Sequence, residues 1–267
     1  MSEPTHARRW AATGLPVLTF HAIDEGHEPI CFSPQRFLDR VVRLQAAGYR
    51  SLGLSDVAGC LRRGDPLPGR CLAVTFDDGY RSVYDVAFAA LQRCGWTATV
   101  FLAVGDGPAR RSSQRLPSLG GRAMLSWSEI RDMHRAGFTF GAHTLTHPDL
   151  SRLPAERAEA EILGSKAVIE DALGAEITCF AYPYGRYDDR SRAIVRRHFA
   201  CACTDRLGLA TPRSDPYALE RVDAYYLRAD RAFGLMLTEL FPSYLRARSI
   251  PRRISRRVRH MFVEGRA

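Results

Sequence analysis

The sequence predicts a single α/β domain, a barrel of parallel strands each followed by a helix, and three observations carry that expectation. Short apolar runs rich in β-branched residues alternate along the chain with amphipathic segments of helical period. Several of the runs end abruptly in side chains that do chemistry: Phe20-His21, Phe76-Asp77-Asp78 and Ala142-His143. Strands of α/β folds deliver their last residues to one open end of the sheet, where such folds place their sites. The third observation is size, since 267 residues suit one large barrel and are few for two.

In chain order, a polar lead-in (1–14) precedes Leu15 to Phe20, the first strand. Ser33-Pro34 opens a helix as N-cap and first-turn proline, with Phe37, Leu38, Val41 and Leu44 as its apolar face and Gly48 as its stop. Tyr49 to Leu54 reads as a strand and Ser55 to Gly64 as a short helix. Leu72 to Phe76 is a buried strand, Arg81 to Arg93 a helix ended by Gly95, and Thr97 to Val104 the next strand. Residues 105–122 carry Gly, Pro, Ser and Arg without periodicity, a length of loop that in a compact domain is usually a functional lid or disordered. Ser126-Trp127-Ser128-Glu129 resembles a capping box for a helix that leads to a strand from Phe138. A long helix follows from Pro154 to Leu173, with Glu156, Glu159 and Glu161 outward and Ala158, Ile162, Ala167 and Ile169 inward. Ile177 to Tyr182 is a strand, Asp188-Asp189 caps a helix to His198, and Ala200 to Thr204 and Leu219 to Tyr226 are strands before a helix at Ala229 to Leu240. Roughly seven or eight strands alternate with helices, as a (β/α) barrel requires.

Asp77 and Asp78 stand side by side at a strand end, where each carboxylate loses hydration unless a cation or hydrogen-bond donors compensate. His143 and His147 lie four residues apart in a second strand-end loop. Two imidazoles and one carboxylate make an N,N,O set that suits a divalent metal with open positions, so one aspartate binds the metal and the other stays free as a base. His21 ends the first strand and shares the same rim.

Together these segments resemble the polysaccharide deacetylases with the NodB homology domain, carbohydrate esterase family 4. Thr75-Phe76-Asp77-Asp78-Gly79 is similar to the family's first motif, His143-Thr144-Leu145-Thr146-His147 to its second, and Tyr182-Pro183-Tyr184-Gly185 to most of its third. The resemblance implies a distorted (β/α)7 barrel and hydrolysis of an N-acetyl group on an amino sugar. It implies Asp77 as catalytic base, Asp78, His143 and His147 as ligands of a divalent metal, and the backbone N–H of Tyr184 as an oxyanion donor. The metal is expected to be Zn, with Co, Ni, Mn or Fe also accepted by such a set. Phe20-His21 resembles a permuted branch in which an N-terminal strand supplies the catalytic acid, here His21. Two departures stand out. The third motif usually opens with an arginine that orients the base, and Ala181 occupies that position, so Arg221, at another strand end, is the expected replacement. The partner of His21 is also missing, with Asp223 and Asp24 as candidates. Two other functions fit the same barrel: deacylation of a small amide or ester, and a catalytically silent carbohydrate- or membrane-binding scaffold.

Composition is that of a globular chain, with 46% hydrophobic and 25% charged residues. Seven cysteines without a Cys-x-x-Cys pair suit free thiols in a reducing compartment. Met1 to Arg9 has no apolar leader and no stretch has the ~18 apolar residues of a membrane span, so a cytoplasmic location is expected. The formal charge of +9 concentrates in a tail, residues 243–267, beyond a barrel of residues 15–242. The arginines at 246, 248, 252, 253, 256, 257 and 259 predict peripheral contact with an anionic surface, lipid head groups before nucleic acid.

Overall fold

Strand parity explains most of the architecture. The computed structural model describes residues 14–106 and 114–249. Its strands are β1 (Val17–Phe20), β2 (Arg50–Ser51), β3 (Cys71–Phe76), β4 (Thr99–Leu102), β5 (Thr139–Ala142), β6 (Cys179–Ala181), β7 (Cys201–Leu207) and β8 (Leu219–Asp223). Along β3, Leu72, Val74 and Phe76 face the surrounding helices, whereas Cys71, Ala73, Thr75 and then Asp77 alternate to the other side. The ring runs β1-β3-β4-β5-β6-β7-β8 and closes by β8 pairing β1, every pair parallel, with β2 added outside on β3. This is the expected distorted (β/α)7 barrel as a single domain.

The helices are α1 (Pro34–Ala46), α2 (Leu54–Arg63), α3 (Ala89–Arg93), α4 (Trp127–Arg135), α5 (Ala155–Leu173), α6 (Asp189–His198) and α7 (Asp230–Met236). Their apolar stripes and the outward faces of the strands form the large core, which includes Phe20, Phe37, Phe76, Val100, Phe140, Phe180 and Phe233. A second cluster of mostly small residues fills the barrel interior, with Val17, Ala73, Phe101, Cys179, Ala181, Cys203 and Leu219 packed against Leu54, Val57, Ala58 and Leu61 of α2. A seven-stranded ring has little room inside, and Gly141 shows it: a Cβ there would lie 2.5 Å from the Phe101 ring. All seven cysteines are free thiols.

Several expected elements differ in detail. The helix expected over Arg81 to Arg93 begins as a π-helical stretch, Val83–Phe88, before α3. The strand expected at Tyr49 to Leu54 shrinks to β2, because α2 begins at Leu54 with Gly53 as its N-cap. Ser33 precedes α1 as expected but makes no side-chain cap; its hydroxyl donates to Glu25 instead. Ser126 and Glu129 form the anticipated capping box on α4, and Asp188 and Ser191 form another on α6. On α5, Ala167 is exposed rather than inward and Glu161 is buried rather than outward, for a reason found in the site. Residues 241–249 are helical and bury Phe241 and Leu245 against the barrel. The lead-in up to residue 13, loop residues 107–113 and the arginine-rich stretch from residue 250 lie outside the described residues. Among the described residues no helix is long and apolar enough to cross a membrane.

Candidate active site

Register brings the predicted residues to one rim. Phe20 pairs with Phe76, so His21 and Asp77 leave the barrel at the same level, and the Asp77 N–H extends the ladder to the Phe20 carbonyl. Leu102 pairs with Ala142, which sets His143 at the neighbouring strand end. Inward parity gives Arg221 of β8 to the same interior face as Thr75 of β3.

Asp77 and Arg221 are both buried at the floor of the cleft, and they form a two-pronged ion pair: Nη1 donates to Oδ1 and Nη2 to Oδ2, each at 2.7 Å. The guanidinium is fixed from below, since its Nε donates to the Thr204 carbonyl at 2.8 Å and Nη1 reaches Thr75 Oγ1 at 3.3 Å. Burial alone would push the Asp77 carboxyl up, but Arg221 overrides it and holds the group well below the usual carboxylate range. Arg221 thus stands where the sequence predicts a replacement for the arginine missing at Ala181. Ala181 itself contributes through its backbone, as its carbonyl lies 2.7 Å from His143 Nδ1. An Nδ1–H donated there leaves the His143 Nε2 lone pair facing Asp78 and His147.

Asp78, His143 and His147 converge. Their facing atoms form a triangle with His143 Nε2 to His147 Nε2 at 3.1 Å, His147 Nε2 to Asp78 Oδ1 at 3.3 Å and His143 Nε2 to Asp78 Oδ1 at 3.5 Å. Ligands about 2.1 Å from one cation are separated by roughly 3.0–3.4 Å, so the triangle has the dimensions of a metal tripod, and its N,N,O donors suit Zn and related divalent ions. Among the described residues no other group of acids, histidines or cysteines has this arrangement. Burial, reinforced by His143 next to it, lowers His147 to about 4, keeping the imidazole neutral and its lone pair available to a cation.

His21 Nε2 lies 3.8 Å from Asp77 Oδ2 and is partly open to solvent. Neither proposed partner engages it: Asp24 pairs with Arg122, and the Asp223 carboxylate accepts from the Tyr225 N–H. Tyr184 sits in a left-handed turn at φ +57°, its ring edge-on to His147 at 4.7 Å between centroids. All seven residues, with Tyr182, Asp205 and Tyr225 nearby, line one cleft of about 700 Å³.

The local backbone is strained. Among the described residues five non-glycine residues have positive φ, and four of them, Asp78, Thr144, His147 and Tyr184, belong to this site. Each such turn costs on the order of 1 kcal/mol and persists only where neighbours enforce it. Glu161 is one enforcer that sequence reasoning missed. Its carboxylate accepts from the Thr146 N–H and the Thr146 hydroxyl, both at 2.8 Å, and so pins the loop that carries His147. Its spacing from Ala158 and Ser165, both buried on the same helix face, was the available signal. Thr144 Oγ1, accepting from the His147 N–H at 3.0 Å, is the second.

A profile described as polysaccharide deacetylase matches residues 64–199. YxkH of Bacillus subtilis (strain 168) is 26% identical over 227 residues, covering 85% of this chain and 77% of that protein. The poly-beta-1,6-N-acetyl-D-glucosamine N-deacetylase of Escherichia coli (strain K12) is 27% identical over 139 residues, covering 48% of this chain and 20% of its own length, so the chain spans about a fifth of that enzyme. Among solved structures, a polysaccharide deacetylase from Bacillus cereus superposes with a TM-score of 0.69 at 26% identity, covering 84% of this chain and 69% of the other.

Proposed function

The chain belongs to the polysaccharide deacetylase family, and from that premise we propose that it is a metal-dependent hydrolase removing the N-acetyl group from an N-acetylated amino sugar. The observation that carries the reading is the adjacency of an ion-paired buried carboxylate, Asp77, to the Asp78, His143 and His147 triangle within one open cleft. An amide needs all that such an arrangement offers, because its carbonyl is a poor electrophile and its nitrogen a poor leaving group.

The residues that would hold the cation are Asp78, His143 and His147. A divalent ion there supplies Lewis-acid polarisation of the acetamide carbonyl and a lowered pKa for water. Asp77 aligns the attacking water and accepts its proton. Arg221 weakens Asp77 as a base but fixes both its oxygens, so little of the barrier goes into orienting it. The Tyr184 N–H is assigned to the developing oxyanion, a role typically worth about 3 kcal/mol in the transition state. His21, on the open side of Asp77, donates a proton to the departing nitrogen as the C–N bond breaks. The hydroxyl of water ends in acetic acid, the amine keeps the proton given by His21, and the proton taken up by Asp77 passes back to His21 to restore both groups.

Acetate released from β-1,6- and β-1,4-linked N-acetylglucosamine oligomers, from free N-acetylglucosamine and from acetyl esters tests this directly. The expected result is acetate from the N-acetylated oligomers, abolished by a chelator and restored by Zn. Acetate from esters alone would move the assignment to ester deacylation, and none from any acetylated sugar in the presence of metal would overturn it.

A further inference from the structure

We propose that Cys179 and Cys201 form an oxidation site at the starts of β6 and β7, below the cleft: a dithiol that hydrogen peroxide closes to a disulfide, loosening the hold on His143 and Arg221. The disulfide does not depend on the deacetylase reading; its effect on acetate release does.

The two cysteines are a register pair, Cys179 opposite Cys201 on the β6–β7 ladder, and both are free thiols. Their sulfurs lie 3.4 Å apart, with the Cys201 S–H donating to Cys179 Sγ. Neighbouring strands are about 4.8 Å apart, inside the roughly 4.4–6.8 Å between Cα atoms that a disulfide spans, so a small approach of the two strands separates the dithiol from the bond. Packing in the barrel interior asks only for small side chains here; a sulfur-to-sulfur contact under a polar cap is more than it asks. That cap is Ser55, in the first turn of α2, whose Oγ lies 3.3 Å from Cys179 Sγ and 3.0 Å from Thr178 Oγ1. Both thiols are buried, but Ser55 and Thr178 are partly exposed, so a molecule the size of hydrogen peroxide has one layer of side chains to pass. The hydrogen bond from Cys201 draws the Cys179 thiol below its ordinary value of 9.0 despite burial, and the same contact raises Cys201. Cys179 is therefore the sulfur that attacks the oxidant and Cys201 the one that resolves.

The balance needs no other reactant. Cys179 sulfur, as thiolate, attacks one peroxide oxygen, the O–O bond breaks, and the departing hydroxide takes up the Cys179 proton as water, leaving a sulfenic acid. Cys201 sulfur then attacks Cys179 sulfur, the S–O bond breaks, and that hydroxide leaves as water with the Cys201 proton. Two electrons pass from the sulfurs to the peroxide, and a dithiol reductant returns them.

Both strands carry the change to the site. Two residues beyond Cys179, the Ala181 carbonyl lies 2.7 Å from His143 Nδ1; three beyond Cys201, the Thr204 carbonyl accepts from Arg221 Nε at 2.8 Å. Ala181 pairs with Cys203 and the Tyr182 N–H bonds the Cys203 carbonyl at 3.1 Å, so drawing the strands together at their starts shifts both carbonyls. A hydrogen bond behind a ligating histidine is typically worth about 10–100-fold in metal affinity.

The test treats the zinc-loaded full chain with hydrogen peroxide and maps its disulfides by peptide mass spectrometry, with fragmentation to separate Cys201 from Cys203, which share a tryptic peptide. Zinc affinity by chelator competition and acetate release are read on the same samples. Expected are a Cys179–Cys201 link, zinc affinity and acetate release each lower by about tenfold, and recovery of all three readouts with dithiothreitol. Cys179→Ala and Cys201→Ala keep the untreated activity and show no loss that dithiothreitol reverses; if either fails to fold, the map of the unsubstituted chain still decides. Both thiols left free at a peroxide dose that oxidises the exposed methionines or other cysteines, or a Cys179–Cys201 disulfide that leaves zinc affinity unchanged, overturns the proposal. No acetate release from the untreated chain removes the deacetylase reading instead, while the map and the zinc affinity still decide the oxidation site.

Discussion

Arg221 grips both carboxylate oxygens of Asp77 at 2.7 Å across 144 residues of sequence. The pair ties β8 to β3 through the barrel interior, where the two strands are separated in the ring by β1. A buried ion pair is weak evidence of net stability, since desolvation of both partners offsets their attraction. Removing one partner is another matter, because the survivor keeps its burial without its counter-charge.

Arg221→Met therefore lowers unfolding free energy by about 3–5 kcal/mol in denaturant titrations at neutral pH and abolishes acetate release. Arg221→Lys keeps the charge but not the planar fork, and is expected to recover part of the stability and little of the activity. Full activity in Arg221→Lys would show that orientation of Asp77 is not its task.

Glu161 lies 1% exposed beneath the loop that presents His147. Glu161→Ala leaves the Thr146 N–H and hydroxyl unsatisfied, a cost of about 1–3 kcal/mol. Loss of a residue that supports a ligand loop typically weakens metal binding by about 10–100-fold, which competition against a chromogenic zinc chelator would measure. Unchanged affinity would separate Glu161 from the site.

Gly185 adopts φ +61°, and a Cβ there would fall 2.1 Å from Asp205 Oδ1 and 2.4 Å from the Asp205 backbone nitrogen. Gly185→Ala must displace the turn that carries Tyr184. The expected outcome is a loss of kcat well beyond any loss of melting temperature, with a strain of about 1–3 kcal/mol. A variant with normal kcat would show that the Tyr184 N–H need not be held where it is.

Glu129 gives a pH signature away from the ligands. Burial would raise its carboxyl, but hydrogen bonds from the Ser126 N–H and hydroxyl and the Arg115 guanidinium bring it below the ordinary value of 4.5. A depressed folded-state pKa adds stability that is present above the unfolded value and lost as pH falls through the folded one. Glu129→Gln should thus cost about 1 kcal/mol at pH 6, and the gap to the unsubstituted chain should close below pH 4.5. A gap independent of pH would mean the capping carboxylate is not ionised.

The strand ends were legible because burial writes a plain signature: Leu72 to Phe76 is apolar but for Thr75 and stops at two carboxylates that packing alone would not select. Arg221 was legible as a cation on a strand with apolar neighbours, although it lies mid-strand in β8 rather than at a strand end. Glu161 was not, since next to Glu156 and Glu159 it looks like one more solvated acid. Its burial is compensated by Arg157 one turn earlier on α5, at 3.0 Å, and by donors from a loop 15 residues earlier in the chain, the second a contact that spacing along the helix does not encode. The left-handed turn at Tyr184 was hidden as well, because Pro-Tyr-Gly would ordinarily give positive φ to the glycine alone and here both residues adopt it. The π-helical stretch Val83–Phe88 keeps the apolar spacing of an α-helix closely enough that periodicity does not separate the two.

The most direct test of the whole account is anomalous diffraction at the zinc edge from crystals of the zinc-loaded chain. A single peak is predicted about 2.0–2.2 Å from Asp78 Oδ1, His143 Nε2 and His147 Nε2 at once, with Asp77 outside the ligand set and still held by Arg221. No peak at that position, or a cation bound by Asp77 in place of Asp78, would contradict it.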